Sequence, residues 1–169
     1  MFGDLQRSRI IAYSAAFIGL IALGSWISLP VGNIPFTLQT LFVLLAGIVM
    51  HRYGAVPVFL YVILGILGLP LFHNGMAGIG VLLGPTGGYL IGFIFAGLIA
   101  GLAYEHRSRI IRISGLFFAT FVIYLFGLAW LMYSLKLGFI AAVITGVLPF
   151  IPGCAIKGAV AYVIGERLP

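Results

Sequence analysis

Lys157 is the residue whose chemistry most needs explaining, because it is a charge within a long apolar run. No other charged residue occurs between Lys136 and Glu166. An ammonium group in hydrocarbon costs several kcal/mol, from roughly 2.5 to more than 10. Residues 149–153 carry two prolines, which end one helix and allow another to begin. A lysine on the first turn of that helix adds a cation to the positive end of its dipole, which predicts an anion-binding pocket.

The environment of this lysine leaves room for a ligand or for a packed helix. On one helical face the small or polar residues at helical spacing are Cys154, Lys157, Gly158, Ala161 and Gly165. The alternative to a ligand site is that Lys157 snorkels to the membrane interface or meets a backbone carbonyl. The adjoining double-proline break favours a site, since snorkelling does not explain it.

Three further polar residues are candidates for the same site. Gln39 stands among threonines and apolar residues and can donate and accept hydrogen bonds, although such residues also join helices in membranes. Asn74 lies in a glycine-rich segment, where a plain turn is the alternative. Tyr89 lies one turn into an apolar span, where an aromatic-belt position is equally plausible. We regard the nearby His73 as a loop residue without a role.

Several function classes are excluded by composition. The chain of 169 residues is 63% hydrophobic and only 7% charged. It has too few charged residues to form the water-facing surface of a soluble domain. The basic residues are scattered between apolar spans, which argues against nucleic-acid binding. The acids are Asp4, Glu105 and Glu166, and with one cysteine they offer no catalytic set and no metal site. We expect neither an enzyme nor a cofactor.

The hydropathy pattern predicts an all-α integral membrane protein with six transmembrane helices in a single domain, 1–169. The predicted spans are 10–29, 36–50, 53–69, 85–104, 113–133 and 152–168. Residues 71–84 are glycine-rich and predict a structured loop that dips into the protein. A continuous last helix over 139–164 is the alternative, but it would place Pro149 and Pro152 in its interior. We prefer a short helix at 139–148 before the sixth span.

The distribution of basic residues predicts the orientation. One side of the predicted bundle carries Arg7, Arg9, Arg52, Arg107, Arg109, Arg112 and Arg167. The other side carries only Lys136. Since positive loops stay inside, both termini are expected in the cytoplasm of a multi-pass cell-membrane protein. The external face then combines the start of helix six, the 71–84 loop and the 30–35 turn.

Four ordered motifs carry a family resemblance. They are NIPFTLQT at 33–40, GLPLF at 68–72, GPTGGY at 84–89 and PFIPG at 149–153. Together they resemble the BioY family, the biotin-binding S components of energy-coupling factor (ECF) transporters. The resemblance implies biotin capture from outside and release inside when the protein topples. It also implies three partner chains, namely a transmembrane coupling protein and two ATPase subunits.

The resemblance assigns residues as well. Gln39, Asn74, Tyr89 and Lys157 would line the biotin pocket. An Ala-x-x-x-Ala motif on helix one, matched by Ala12 and Ala16, would dock the coupling protein. The family pattern has Asp where this chain has Cys154, so Lys157 loses an expected partner, and we expect altered affinity or compensation by another acceptor. The alternatives are an S component for a different small vitamin and a non-transporting membrane scaffold that uses the small-residue stripe of helix one.

Overall fold

The fold is mainly helical, and prolines, glycines and charged residues lie where its helices end. The computed structural model describes residues 2–31 and 34–168, with side chains for 6–30 and 34–168. Asn33, which begins the first family motif, and the side chain of Asp4 lie outside this part. The described residues form one two-stranded hairpin, with strands β1 (Ser28–Val31) and β2 (Ile34–Thr37), and eight α-helices. The helices are α1 (Phe2–Trp26), α2 (Gln39–Met50), α3 (Ala55–Ile66), α4 (Ile79–Leu83), α5 (Gly87–Tyr104), α6 (Arg109–Leu135), α7 (Phe139–Gly146) and α8 (Ile151–Arg167).

The β-hairpin is the main departure from the expected all-α chain. It pairs antiparallel, with Ser28 opposite Thr37 and Leu29 opposite Phe36. Helix α1 therefore ends before the predicted boundary at 29, and α2 begins three residues after the predicted start at 36. Pro30 and Pro35 face each other in this pairing. Proline is tolerated in edge strands, which both strands of a two-stranded hairpin are, but not in a helix interior, which explains the change.

Within residues 2–31 and 34–168, four helical segments are long and apolar enough to cross a bilayer. They are 6–26, 87–104, 109–135 and 139–167. The last segment joins α7 and α8 through a 3₁₀ turn at Leu148–Phe150, so the chain is not a regular α-helix at its prolines. The predicted short helix at 139–148 and the separate helix from 152 match α7, which ends at Gly146, and α8, which begins at Ile151, although the two together make one candidate span by length.

Helices α2 and α3 form a bent pair rather than two full spans. Each has 12 residues, and the chain direction bends by 119° between them, across the turn His51–Tyr53. At 1.5 Å per residue, each helix reaches only about 18 Å, against a hydrocarbon core of about 30 Å. Counted as one broken span, the pair raises the number of candidate spans to five. The predicted count of six therefore does not follow from helix lengths.

Charged residues gather at one end of the helix bundle. Arg52 Nε lies 2.8 Å from a Glu105 carboxylate oxygen, and Arg112 Nη1 lies 2.6 Å from Glu166. The hydrogen bond from Arg52 holds the pKa of Glu105 below its usual value. These residues come from the α2–α3 turn and the ends of α5, α6 and α8, as the positive-inside pattern predicts for a single side. The opposite end carries the β-hairpin and the 67–86 loop.

Candidate functional site

A polar cavity lies toward the hairpin end of the bundle. Its walls come from β2, the first residues of α2, the loop at 72–73, the first turns of α5, the middle of α6 and the first half of α8. We call it the polar cavity below. Of the predicted site residues, it brings together Gln39, Tyr89, Cys154 and Lys157. Residues more than 100 positions apart in the sequence thus share one site.

Lys157 is buried in this cavity, with 6% of its surface exposed. Its Nζ donates a hydrogen bond to the backbone oxygen of Thr37 at 2.9 Å and lies 4.2 Å from the centre of the Phe36 ring. The lysine therefore does not snorkel, although it does meet a backbone carbonyl as the alternative allowed. It is the seventh residue of α8, almost two turns from the helix start. The helix dipole, which acts within the first turn, contributes less than we expected.

An aromatic shelf supports the lysine. The Phe36 ring stacks on Phe150, with ring centroids 6.2 Å apart and planes 15° apart. Gly153 makes this packing possible, because a Cβ at that position would overlap the Phe36 ring. The PFIPG segment thus does more than start a helix. It shapes the surface against which the cation lies.

Gln39 and Tyr89 are both held by hydrogen bonds within the protein. Gln39 Nε2 donates to the hydroxyl of Tyr61 at 2.5 Å, and Tyr61 in turn donates to the Leu71 carbonyl at 2.9 Å. The Tyr89 hydroxyl donates to the backbone oxygen of Gly146 at 2.7 Å. That carbonyl is available because the chain leaves α-helical geometry after Gly146. Both side chains are therefore fixed in orientation before any ligand binds.

Asn74 is not among the residues that line the cavity. It is exposed, its backbone is left-handed (φ 55°), and its Oδ1 accepts a hydrogen bond from the Ser28 hydroxyl at 2.6 Å. This contact joins the 67–78 loop to the β-hairpin. Its predicted role in ligand binding is untested by this geometry.

Two lining residues were missed or discounted from the sequence. The His73 Nδ1 and the Tyr124 hydroxyl are buried, and among the described residues neither has a nitrogen or oxygen hydrogen-bond partner, although the Cys154 thiol lies beside Tyr124. His73 is half-buried rather than an exposed loop residue, and its burial lowers its pKa. Tyr124 lies in the middle of α6, where an aromatic in an apolar run gives no distinguishing signal. A buried polar atom without a partner calls for an explanation such as a ligand.

On helix α1, the predicted docking stripe faces outward. Ala12 and Ala16 are exposed, and a Cβ added at Gly19 would contact nothing within 4 Å. The other side of α1 carries the buried residues, including Phe17 and Ile21. Ala12 and Ala16 are therefore not used for packing within the described part of this chain, whereas Ala22, the last small residue of the predicted stripe, is buried in the core.

Known proteins share both sequence and fold with this chain. A model of the BioY family matches residues 3–169. A probable biotin transporter BioY of Pyrococcus horikoshii is 42% identical over 96% of this chain and 98% of its own length. A biotin transporter BioY of Rhizobium etli is 34% identical over 93% of this chain and 89% of its own.

A solved structure agrees with these relatives. The crystal structure of the S component for biotin from an ECF-type ABC transporter matches with a TM-score of 0.87 and 26% identity. The match covers 97% of this chain and 92% of that one. With the family match over nearly every residue, these likenesses decide the classification: the chain belongs to the BioY family.

Proposed function

We propose that this chain binds biotin in its polar cavity and is the membrane-embedded S component of an ECF transporter. The observation that carries the proposal is the buried Lys157 cation, fixed against Phe36 in a cavity lined by oriented polar side chains. Biotin suits this lining, because its carboxylate pairs with a cation and its ureido group pairs with donors and acceptors. The side chains in contact with biotin would be those of Gln39, Tyr89, Cys154 and Lys157. Asn74 would hold its loop against the β-hairpin beside the cavity.

The finer topology is part of the proposal. We infer six membrane crossings, in which α2 and α3 cross as short helices completed by the β-hairpin and the 67–78 loop. Non-helical backbone is tolerated at membrane depth when it is buried in protein. The charged end that holds Arg52 and Glu105 would face the cytoplasm, together with both termini, in the cell membrane. Cysteines introduced singly at Lys136 and Arg107 in a Cys154→Ala background test this orientation. A membrane-impermeant thiol reagent added from outside should label the cysteine at 136 and leave the cysteine at 107 unlabelled.

The partners are a transmembrane coupling protein and two ATPase subunits, which would supply the energy. Support comes from the outward stripe of α1 at Ala12 and Ala16, because small residues permit close helix contact in lipid. A membrane scaffold that uses the same stripe without transporting a ligand is the second candidate. It predicts no response of the chain to any vitamin.

Thermal unfolding in detergent separates these functions. Biotin at 100 times its Kd should stabilise the chain by about 2.7 kcal/mol, whereas riboflavin and thiamine should not. Stabilisation by another vitamin alone would assign a different substrate to this S component. No shift with biotin in either the wild type or Cys154→Asp would leave the scaffold as the better account.

A further inference from the structure

Tyr124 occupies a boundary between two cavities. With Thr120 and Cys154 it lines the polar cavity on one side and, on the other, a larger apolar groove between α6 and the α7–α8 segment. We call the second space the lateral groove. The Tyr124 side chain lies beside the Cys154 thiol, which itself neighbours Lys157. Its position therefore brings a phenol to the wall of α6 that faces the lysine.

Unlike Lys157, Tyr89 and Thr120, Tyr124 has no nitrogen or oxygen atom as a hydrogen-bond partner of its hydroxyl in the part of the chain that the structure describes. Lys157 donates to Thr37, Tyr89 donates to Gly146, and the Thr120 hydroxyl donates to the Leu116 carbonyl at 2.9 Å. The Tyr124 hydroxyl is buried, and its polar neighbour is the Cys154 thiol, which is a weak hydrogen-bonding group. Because buried hydroxyls normally have a stronger partner, this group can hydrogen-bond to a ligand that enters the cavity.

From this placement we infer that Tyr124 is a specificity-determining residue, whose hydroxyl hydrogen-bonds to the ureido group of bound biotin. This inference rests on the proposed function. A phenol can donate to a carbonyl oxygen or accept from an N–H, and a ureido group offers both. The carboxylate of the ligand pairs better with the lining cation, Lys157. The uncharged Tyr124 hydroxyl, on the α6 wall of the cavity, therefore suits the uncharged ureido group of biotin.

Calorimetric titration of biotin into the full chain tests the inference. Tyr124→Phe should weaken biotin binding roughly tenfold, as expected for one buried hydrogen bond. The apo variant should unfold at about the same temperature as wild type, because only a weak contact with the Cys154 thiol is removed. Tyr104→Phe is the matched control: its hydroxyl is also buried without a hydrogen-bond partner among the described residues, but Tyr104 does not line the cavity. It should bind biotin like wild type.

The ligand arm identifies the contacted group. Biotin methyl ester lacks the carboxylate charge but keeps the ureido group, so Tyr124→Phe should weaken its binding by the same factor. Loss of the effect with the ester would overturn the ureido assignment. Wild-type affinity of Tyr124→Phe, or a fall in affinity matched by a lower apo Tm, would overturn the role of the residue. If wild type itself binds no biotin, the proposed function fails and this inference fails with it.

Discussion

Replacement of Lys157 by methionine removes the charge of the polar cavity while keeping most of the side-chain volume. In the apo protein the change removes the hydrogen bond to Thr37, about 1.5–3 kcal/mol, and the contact with the Phe36 ring, about 0.5–2 kcal/mol. It also relieves the burial of an ammonium group, which opposes folding by several kcal/mol. These contributions nearly cancel, so the free energy of unfolding should change by no more than about 2 kcal/mol.

Biotin binding should respond far more strongly than stability. A charge-assisted hydrogen bond to the ligand contributes about 1.5–3 kcal/mol, which corresponds to a roughly tenfold to hundredfold increase in Kd. Titration calorimetry measures the affinity, and unfolding in detergent measures the apo stability. Lys136→Met is the matched control, because it removes an exposed lysine at the end of α6. Its Kd should equal that of wild type.

A wild-type Kd for Lys157→Met would refute this reasoning. The lysine would then be only a structural donor to the carbonyl of β2. A large loss of apo stability together with loss of binding would also contradict it, since the near cancellation of the apo contributions would be wrong.

Other changes test the shape, charge and partners of the site. Gly153→Ala should displace the Phe36 ring, lower the free energy of unfolding by about 1–3 kcal/mol and weaken biotin binding. Gly158→Ala is the control, because an added Cβ there meets nothing within 4 Å, and it should change neither quantity. Because burial lowers the pKa of His73, folding favours its neutral form, so stability should be constant above about pH 6.5 and fall as the pH drops below it. In denaturant titrations, the free energy of unfolding of His73→Gln should depend less on pH than that of wild type. An unchanged pH dependence would show that His73 is not the titrating group. Ala16→Leu should leave biotin affinity intact and abolish ATP-driven uptake with the partner subunits, whereas normal uptake would remove α1 as the docking face.

The sequence was sufficient for the features that depend on composition and periodicity. The charges at Arg52, Glu105 and Glu166 meet at one end of the bundle, as their positions between apolar runs predict. Lys157 could be singled out because a charge in an apolar run is costly wherever it lies. The family motifs then supplied its neighbours in the cavity, Gln39 and Tyr89.

Features that depend on tertiary contacts were out of reach. Pairing of Pro30 with Pro35 in a hairpin has no periodic signal over four residues, so the sequence predicts only a turn at 30–35 between two helices. Tyr124 is one of eight tyrosines in the chain, and only the fold shows that its buried hydroxyl lies at the cavity beside the Cys154 thiol. His73 was discounted because its burial comes from the fold around the loop rather than from its neighbours in sequence.

Equilibrium binding of radiolabelled biotin to the purified chain in lipid nanodiscs tests the central claim most directly. The account predicts saturable binding of one biotin per chain, displaced by unlabelled biotin and weakened at least tenfold in Lys157→Met. Absence of saturable binding by both wild type and Cys154→Asp would contradict it.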